Sequence, residues 1–387
     1  MYEFKTLNRK NTASAKWERP KDQVGREDYL VFSVADSDYE TAPEIKEALQ
    51  RRVKHGAFGY TYADDEYFDA VKSWMDRRHG LSVEKHWILP APKVLTSMSM
   101  MIQAFTTQKD KIAIQTPVYN VFFDVVNQSG RELVENPLLD EGGYTMDFAH
   151  LEKCFQDGVK MLFLCSPHNP VGRVWKEEEL RKLVELCKRY DVYLVSDEIH
   201  ADLIMPGHTF VSTGAFFEEY EKILVVNAPS KTFNIAGLHT ANVFVFDPKL
   251  RRALKKTMRK NFLGTPNVLA LLACKSAYEK CDDWVDAQNA HIQSNYELVK
   301  SFMAENIPEA RVTTLEGTYL LWIDLRAFGV SGEQIYQGLM AQGVVVGEGK
   351  KYKPQCDGFI RLNVACSKEQ LLEGLRRMDT YFEALRA

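Results

Sequence analysis

Short apolar runs alternate with amphipathic stretches through the middle of the chain. The runs are Ile112–Gln115, Met161–Cys165, Val192–Ser196, Ile223–Asn227 and Asn242–Phe246. Runs this short, separated by helical patterns, predict a mostly parallel sheet covered on both faces by helices. One intervening helix spans Glu177–Tyr190, with Glu177, Glu178 and Glu179 in its first turn and Lys188 and Arg189 in its last, as the helix dipole favours. Upstream, a helix is predicted over Thr41–His55. Thr41 and Glu44 form a capping box, Ile45, Ala48, Leu49 and Val53 make the apolar stripe, and Gly56 ends it. The residues before it read as an arm.

Beyond Asp283 the pattern changes. A long polar helix precedes Leu320–Leu325, Val344–Val346 and Phe359–Val364. The chain then closes in a helix capped by Ser367 and Gln370, with Leu371, Leu372, Leu375, Met378 and Phe382 facing inward. This predicts an α/β protein with a large domain over residues 50–283. Residues 1–49 and 284–387 form a smaller α+β domain with an N-terminal arm. In Phe359–Val364 a period of two puts Ile360, Leu362 and Val364 on a buried face and Phe359, Arg361 and Asn363 on the other. An arginine is thus aimed from the polar side of a strand.

Composition narrows the classes. The 387 residues are 45% hydrophobic and 26% charged, which excludes disorder, collagen and a disulfide miniprotein. A total of 49 Lys and Arg against 53 Asp and Glu gives a net charge of −4, too near neutral for a nucleic-acid binder. The basic segment Leu250–Lys260 repeats Leu250, Leu254 and Met258 and reads as an ordinary amphipathic helix. Seven cysteines with no C-x-x-C pair suggest reduced thiols, and no apolar run reaches bilayer length. No secretion-type apolar segment opens the chain, so a cytoplasmic protein without membrane contact is expected. No dinucleotide, P-loop or serine-hydrolase motif occurs.

Ligands of open α/β sheets bind at the carboxyl ends of the strands. Three run ends present Asn169, Asp197 and Lys231. A lysine just past one buried strand and a carboxylate at a neighbouring strand end suit pyridoxal 5'-phosphate (PLP). The cofactor needs a Schiff-base lysine and an acid facing its pyridinium nitrogen. On these residues alone, a buried structural ion pair beside an ordinary turn remains open. Metal ligation by Asp197, Glu198, His200 and Asp202 is disfavoured, since no second histidine lies at i+4.

The stretches Cys165-Ser-Pro-His-Asn-Pro-Val-Gly-Arg-Val-Trp175, Ser196-Asp-Glu-Ile-His-Ala-Asp-Leu203, Ala228-Pro-Ser-Lys-Thr-Phe-Asn-Ile-Ala-Gly-Leu238 and Gly358-Phe-Ile-Arg-Leu-Asn-Val-Ala-Cys366 occur in that order. Together with Lys16-Trp17, Ala35-Asp-Ser-Asp-Tyr39 and Gly59-Tyr60-Thr61, they resemble fold-type I PLP enzymes. More narrowly, they resemble the MalY/PatB group of cystathionine β-lyases, also called cysteine-S-conjugate β-lyases.

The resemblance implies the aspartate aminotransferase fold and a set of roles. Lys231 is the Schiff-base lysine and proton shuttle, Asp197 pairs with the pyridine nitrogen, Asn169 bonds the 3'-oxygen, and Tyr119 stacks on the ring. Arg361 grips the substrate α-carboxylate through two charge-assisted bonds, each worth roughly 1.5 to 3 kcal/mol. The phosphate is implied at Val94 and Leu95 N–H groups, where a helix expected over Ser97–Phe105 begins, with Ser230 and with Tyr60 from a second subunit. The resemblance thus implies a homodimer. His200 stands where aminotransferases of this fold carry a tyrosine, which favours lyase chemistry. The implied reaction is α,β-elimination on L-cystathionine or related S-conjugates. An aminotransferase and a PLP-binding regulatory protein are the competing readings.

Three departures stand out. His239 occupies the position of a phosphate-binding arginine in many aminotransferases, and Lys93 stands where relatives usually have a glycine; either Lys93 restores positive charge at the phosphate or it is a solvent-facing lysine. Ser37 and Tyr39 replace the group's usual Met and Phe near the substrate entrance. Tyr39, Tyr60, Tyr119 and Tyr319 are expected around the pocket.

Overall fold

A computed structural model describes residues 2–264 and 266–387. Its central sheet has seven strands: β1 (Ile88–Ala91), β2 (Lys111–Thr116), β3 (Glu132–Pro137), β4 (Val159–Cys165), β5 (Tyr193–Asp197), β6 (Ile223–Asn227) and β7 (Ala241–Val245). Their order is β1-β7-β6-β5-β4-β2-β3. β7 runs antiparallel to both its neighbours, and the other pairs are parallel. The five predicted runs are the five inner strands, with ends shifted by a residue or two. The strands that sequence reasoning missed, β1 and β3, are the two edges.

Period-two alternation sends side chains to two separate cores. Ala113, Leu162, Leu164, Leu194, Val225 and Phe244 join the larger apolar cluster on one face. Ile112, Ile114, Met161, Phe163, Leu224 and Val243 join the other, which the helices Val94–Phe105 and Pro248–Lys260 cover through Met98, Met101, Leu254 and Met258. Both faces are dry, so the inner strands read as continuous apolar runs.

A second sheet orders Arg311–Val312, Leu320–Asp324, Phe359–Asn363 and Gly347–Glu348, all antiparallel. The expected strand at Val344–Val346 is Val344–Val345. It pairs in parallel with Leu30–Val31, tying an early segment to a late one. The long helix spans Asp282–Asn306 and the closing helix Lys368–Arg386. Ser367 caps the latter by accepting from Gln370 N–H, but the Gln370 side chain donates to Asp38 Oδ2 at 3.0 Å, so only half of the predicted capping box forms.

The first predicted helix also starts differently. It spans Pro43–His55, with Ala42 at the N-cap and no side-chain cap. Proline at the first helical position supplies the start that the Thr41–Glu44 box was expected to give. All seven cysteines are buried and unpaired. Among the described residues no helix is long and apolar enough to cross a membrane.

Candidate active site

Strand register assembles the site. Cys165 at the end of β4 lies opposite Asp197, and Asp197 opposite Val226 on β6. Three chain exits therefore leave the sheet side by side. Asn169 comes just after the first, Asp197 is the last residue of the second, and Lys231 comes just after the third. All three line a cavity of about 240 Å³, together with Tyr119, His200 and Cys165. The sequence run that ended at Ser196 stops one residue short. Asp197 is held within the ladder, so its carboxylate is fixed by backbone.

Asp197 is 4% exposed and accepts from Ile199 N–H at 3.1 Å. Burial pushes its carboxyl up to about 7, while that N–H and the charge of Lys231 pull the other way. Burial likewise lowers the Lys231 amine to about 8. The Asp36 carboxylate favours the ammonium and Arg361 opposes it. Lys231 Nζ donates to Ala35 O at 2.7 Å. Burial, reinforced by the charges of Lys231 and Arg361, keeps His200 well below the usual imidazole range, and its Nδ1 has no partner among the described residues. A neutral imidazole therefore borders the cavity beside a carboxylate that burial disfavours.

The Arg361 side chain arrives from the second sheet. The strand Phe359–Asn363 is buried on both faces, not one, and Arg361 is 5% exposed. Its charge is tolerated because Nη1 donates to Asn169 Oδ1 at 3.0 Å and Nη2 to Ser33 O at 2.6 Å. Gly347 pairs with Arg361 in the sheet. A Cβ there would stand 3.2 Å from Arg361 Cβ and 3.3 Å from the Tyr352 hydroxyl. The missing side chain lets the guanidinium lie 5.0 Å from the centre of the Tyr352 ring, a cation–π contact.

At its other end the cavity meets the start of the helix Val94–Phe105, three residues earlier than expected. Val94 and Leu95 occupy its first turn, where backbone N–H groups lack intrahelical partners. Ser230, Thr240, His239 and Lys93 complete this end. Lys93 is the uncapped N-cap residue, and its charge adds to burial in lowering the His239 imidazole.

Three expected pocket residues lie elsewhere. Tyr39 is buried against Phe4 and Trp284 and donates to Gln288 Oε1 at 2.9 Å. Tyr319 is buried with its ring edge-on to His200, 5.9 Å between centres. Both rings are buried in the core. Tyr60 is fully exposed on this chain, away from the cavity-lining residues. Ser37 is also buried. Sequence reasoning missed Ser33, Ala35 and Tyr352, two of which act through backbone carbonyls. Cys165, read from sequence only as one of seven reduced thiols, borders the cavity, is kept protonated by burial, and its sulfur accepts from Asn169 N–H at 3.4 Å.

The neighbouring carboxylates belong to the scaffold. Glu198 accepts from Ser196, Ser212 and Thr213. Asp202 accepts from Trp74 Nε1 at 3.0 Å and Thr232 Oγ1 at 2.7 Å, with His79 Nε2 at 2.9 Å.

The residues present fit PLP. Among the described residues the buried Asp197 carboxylate lacks a cationic hydrogen-bond partner, the orphaned His200 nitrogen borders the same cavity, and an uncapped helix start suits a phosphate. A profile of the aminotransferase class I and II family matches residues 27–378. The chain belongs to that family. It is 39% identical to cystathionine β-lyase PatB of Bacillus subtilis over 97% of this chain and 98% of that protein. It is 30% identical to Protein MalY of Escherichia coli over the whole of both. Cystalysin from Treponema denticola, solved with pyridoxal 5'-phosphate, superposes with a TM-score of 0.96 at 35% identity over the full length of both chains.

Proposed function

We propose that the chain is a PLP-dependent carbon–sulfur β-lyase acting on L-cystathionine and related cysteine S-conjugates. The observation that carries this reading is the convergence of Asn169, Asp197, His200 and Lys231 on one cavity, with Arg361 bonded to Asn169 at its rim. Similarity to PatB over nearly the whole chain supports the lyase assignment.

Bound at this site, PLP supplies an electrophilic carbon for the lysine amine and an electron sink for the charge left at Cα. The chain's own residues do the rest. Lys231 would hold the cofactor through its amine and would be freed when a substrate amine binds. Its amine, lowered to about 8 by burial, then takes the Cα proton and returns it to the departing sulfur. Asp197 as a carboxylate keeps the pyridine nitrogen protonated. Asn169 and the neutral His200 would hydrogen-bond the 3'-oxygen, and Tyr119 would lie against the ring. Val94 and Leu95 N–H groups and the Ser230 hydroxyl hold the phosphate. Arg361 exchanges a neutral partner for the substrate carboxylate. Cleavage of Cβ–S releases homocysteine from cystathionine, and water converts the remaining 2-aminoacrylate to pyruvate and ammonia.

In this reading residues 50–283 carry the cofactor and residues 1–49 with 284–387 bring Arg361 over it. Tyr60 serves the site of a second copy, so the working unit is a homodimer. Val53, Phe58, Tyr62 and Phe262 are exposed apolar side chains that suit such a contact. Unpaired, buried cysteines suit a cytoplasmic enzyme. Lys93 adds charge at the phosphate end, and Lys93→Ala weakens PLP binding about fivefold at low salt, as one screened charge allows. An unchanged PLP Kd removes that role.

Incubation of the holoenzyme with L-cystathionine and no keto acid yields pyruvate, and Lys231→Ala abolishes it. Turnover that survives Lys231→Ala contradicts the reading.

A further inference from the structure

Lys16-Trp17 and Ala35-Asp36-Ser37-Asp38 have no part in the reaction steps above, yet they meet in space. Lys16, 1% exposed, donates from Nζ to Asp38 Oδ2 at 2.8 Å, and Trp17 Nε1 donates to Asp38 Oδ1 at 2.9 Å. Arg9 forks onto Asp36, each arm at 2.9 Å, and Lys16 Nζ reaches Asp36 O at 3.1 Å. From the other side, Asn234 bonds the N–H and C=O of Ser37. Asn363 Nδ2 donates to Val34 O and Asp36 O. Val34, Asp36, Ser37 and Asp38 are thereby held.

The inner edge of this segment touches the chemistry. Ala35 O accepts from Lys231 Nζ, and Ser33 O accepts from Arg361 Nη2. Buried ion pairs contribute little net stability compared with apolar packing, so stability alone is a weak reason for the cluster. Fixing a carbonyl is a better one. An amine that donates one N–H to a rigid acceptor loses most of its orientational freedom, and its lone pair is then confined to a small set of directions.

We propose that residues 33–38 form a strap, clamped by Arg9, Lys16 and Trp17, whose Ala35 carbonyl orients the free amine of Lys231 for proton transfer at Cα. The three clamp residues are positioning residues. The inference rests on Lys231 as the proton carrier. Asp36 sits on the same strap, and its charge favours the ammonium form against the effect of burial, so a single element both aims the amine and helps it hold the proton.

The test uses holoenzyme and L-alanine, which has a Cα proton but no leaving group. Exchange of that proton in D2O is monitored by NMR per bound cofactor, and L-alanine affinity by titration of cofactor absorbance. In Arg9→Met and Lys16→Met, exchange falls about tenfold while affinity stays within about twofold, because a small misplacement costs rate more than binding. Arg9→Lys recovers part of the exchange. Exchange that is unchanged, or that falls only in step with cofactor content or affinity, overturns the strap. Should Lys16→Met fail to fold, Arg9→Met decides, since Arg9 lies partly exposed. Exchange and turnover surviving in Lys231→Ala would defeat the underlying reading. An inactive Lys231→Ala with unaffected clamp variants defeats the strap alone.

Discussion

Arg361 Nη1 and Asn169 Oδ1, separated by 192 positions in sequence, are 3.0 Å apart. The bond joins the strand Phe359–Asn363 of the small sheet to the loop after β4. In the proposed reading it parks the fork assigned to the substrate carboxylate on the residue assigned to the cofactor. A carboxylate arriving at Arg361 replaces a neutral acceptor with a charged one, which favours the exchange.

Arg361→Ala therefore lowers kcat/KM for cystathionine at least about a hundredfold, given roughly 1.5 to 3 kcal/mol for each charge-assisted bond lost. Arg361→Lys keeps the charge without the fork and loses less. Steady-state kinetics with both variants check this. Equal kcat/KM for wild type and Arg361→Ala places the carboxylate elsewhere.

Asp197 gives the cofactor-free protein a pH signature. Its carboxyl is raised from the ordinary value near 4 to about 7 by burial. The folded state therefore holds an extra proton at Asp197 between these values, and the contribution of Asp197 to stability falls as pH rises across that window. Cofactor binding supplies a cationic partner, so the gap in Tm between holoenzyme and cofactor-free protein widens from about pH 4 to 7. Asp197→Asn flattens that trend. Thermal unfolding of both forms across this range measures it.

Asp202 ties Trp74 and Thr232 together, with His79 Nε2 alongside at 2.9 Å. Asp202→Ala leaves those groups buried without their acceptor and costs about 3 to 5 kcal/mol of stability. Asp202→Asn retains the shape and costs less. Urea unfolding of the two variants distinguishes them.

Tyr60 and Lys231 are assigned to one site from two chains. Tyr60→Ala and Lys231→Ala homodimers are each impaired, and mixing them under subunit exchange restores activity. The mixed dimer contains one site with both native residues. No recovery after verified exchange removes Tyr60 from the partner's site.

The inner sheet and half of the site were legible in sequence for the same reason. Strands buried on both faces, such as Met161–Cys165, stand out as unbroken apolar runs, and ligands of such sheets sit just beyond the strands' carboxyl ends. Edge strands give no such signal. Glu132–Pro137 is polar and half-buried, and Ile88–Ala91 carries Pro90 in its middle, both features of strands that need only one partner. Within the site, Lys231, Asp197 and Asn169 announce themselves by side-chain chemistry. Ser33 and Ala35 work through carbonyls that every residue possesses, so only coordinates reveal them. Arg361 was legible in register and misread in burial. Period two predicts which face it shares, but not that Asn169 and Ser33 wait there to satisfy it.

The measurement that tests the lyase assignment most directly is the product balance of the holoenzyme given L-cystathionine alone. Thiol, pyruvate and ammonia are assayed over time beside the cofactor's absorbance. Lyase action produces the three in equal amounts over many turnovers while the cofactor stays in its aldehyde form. Conversion of the cofactor to its amine form in one half-turnover, with no thiol released, would contradict it and identify an aminotransferase.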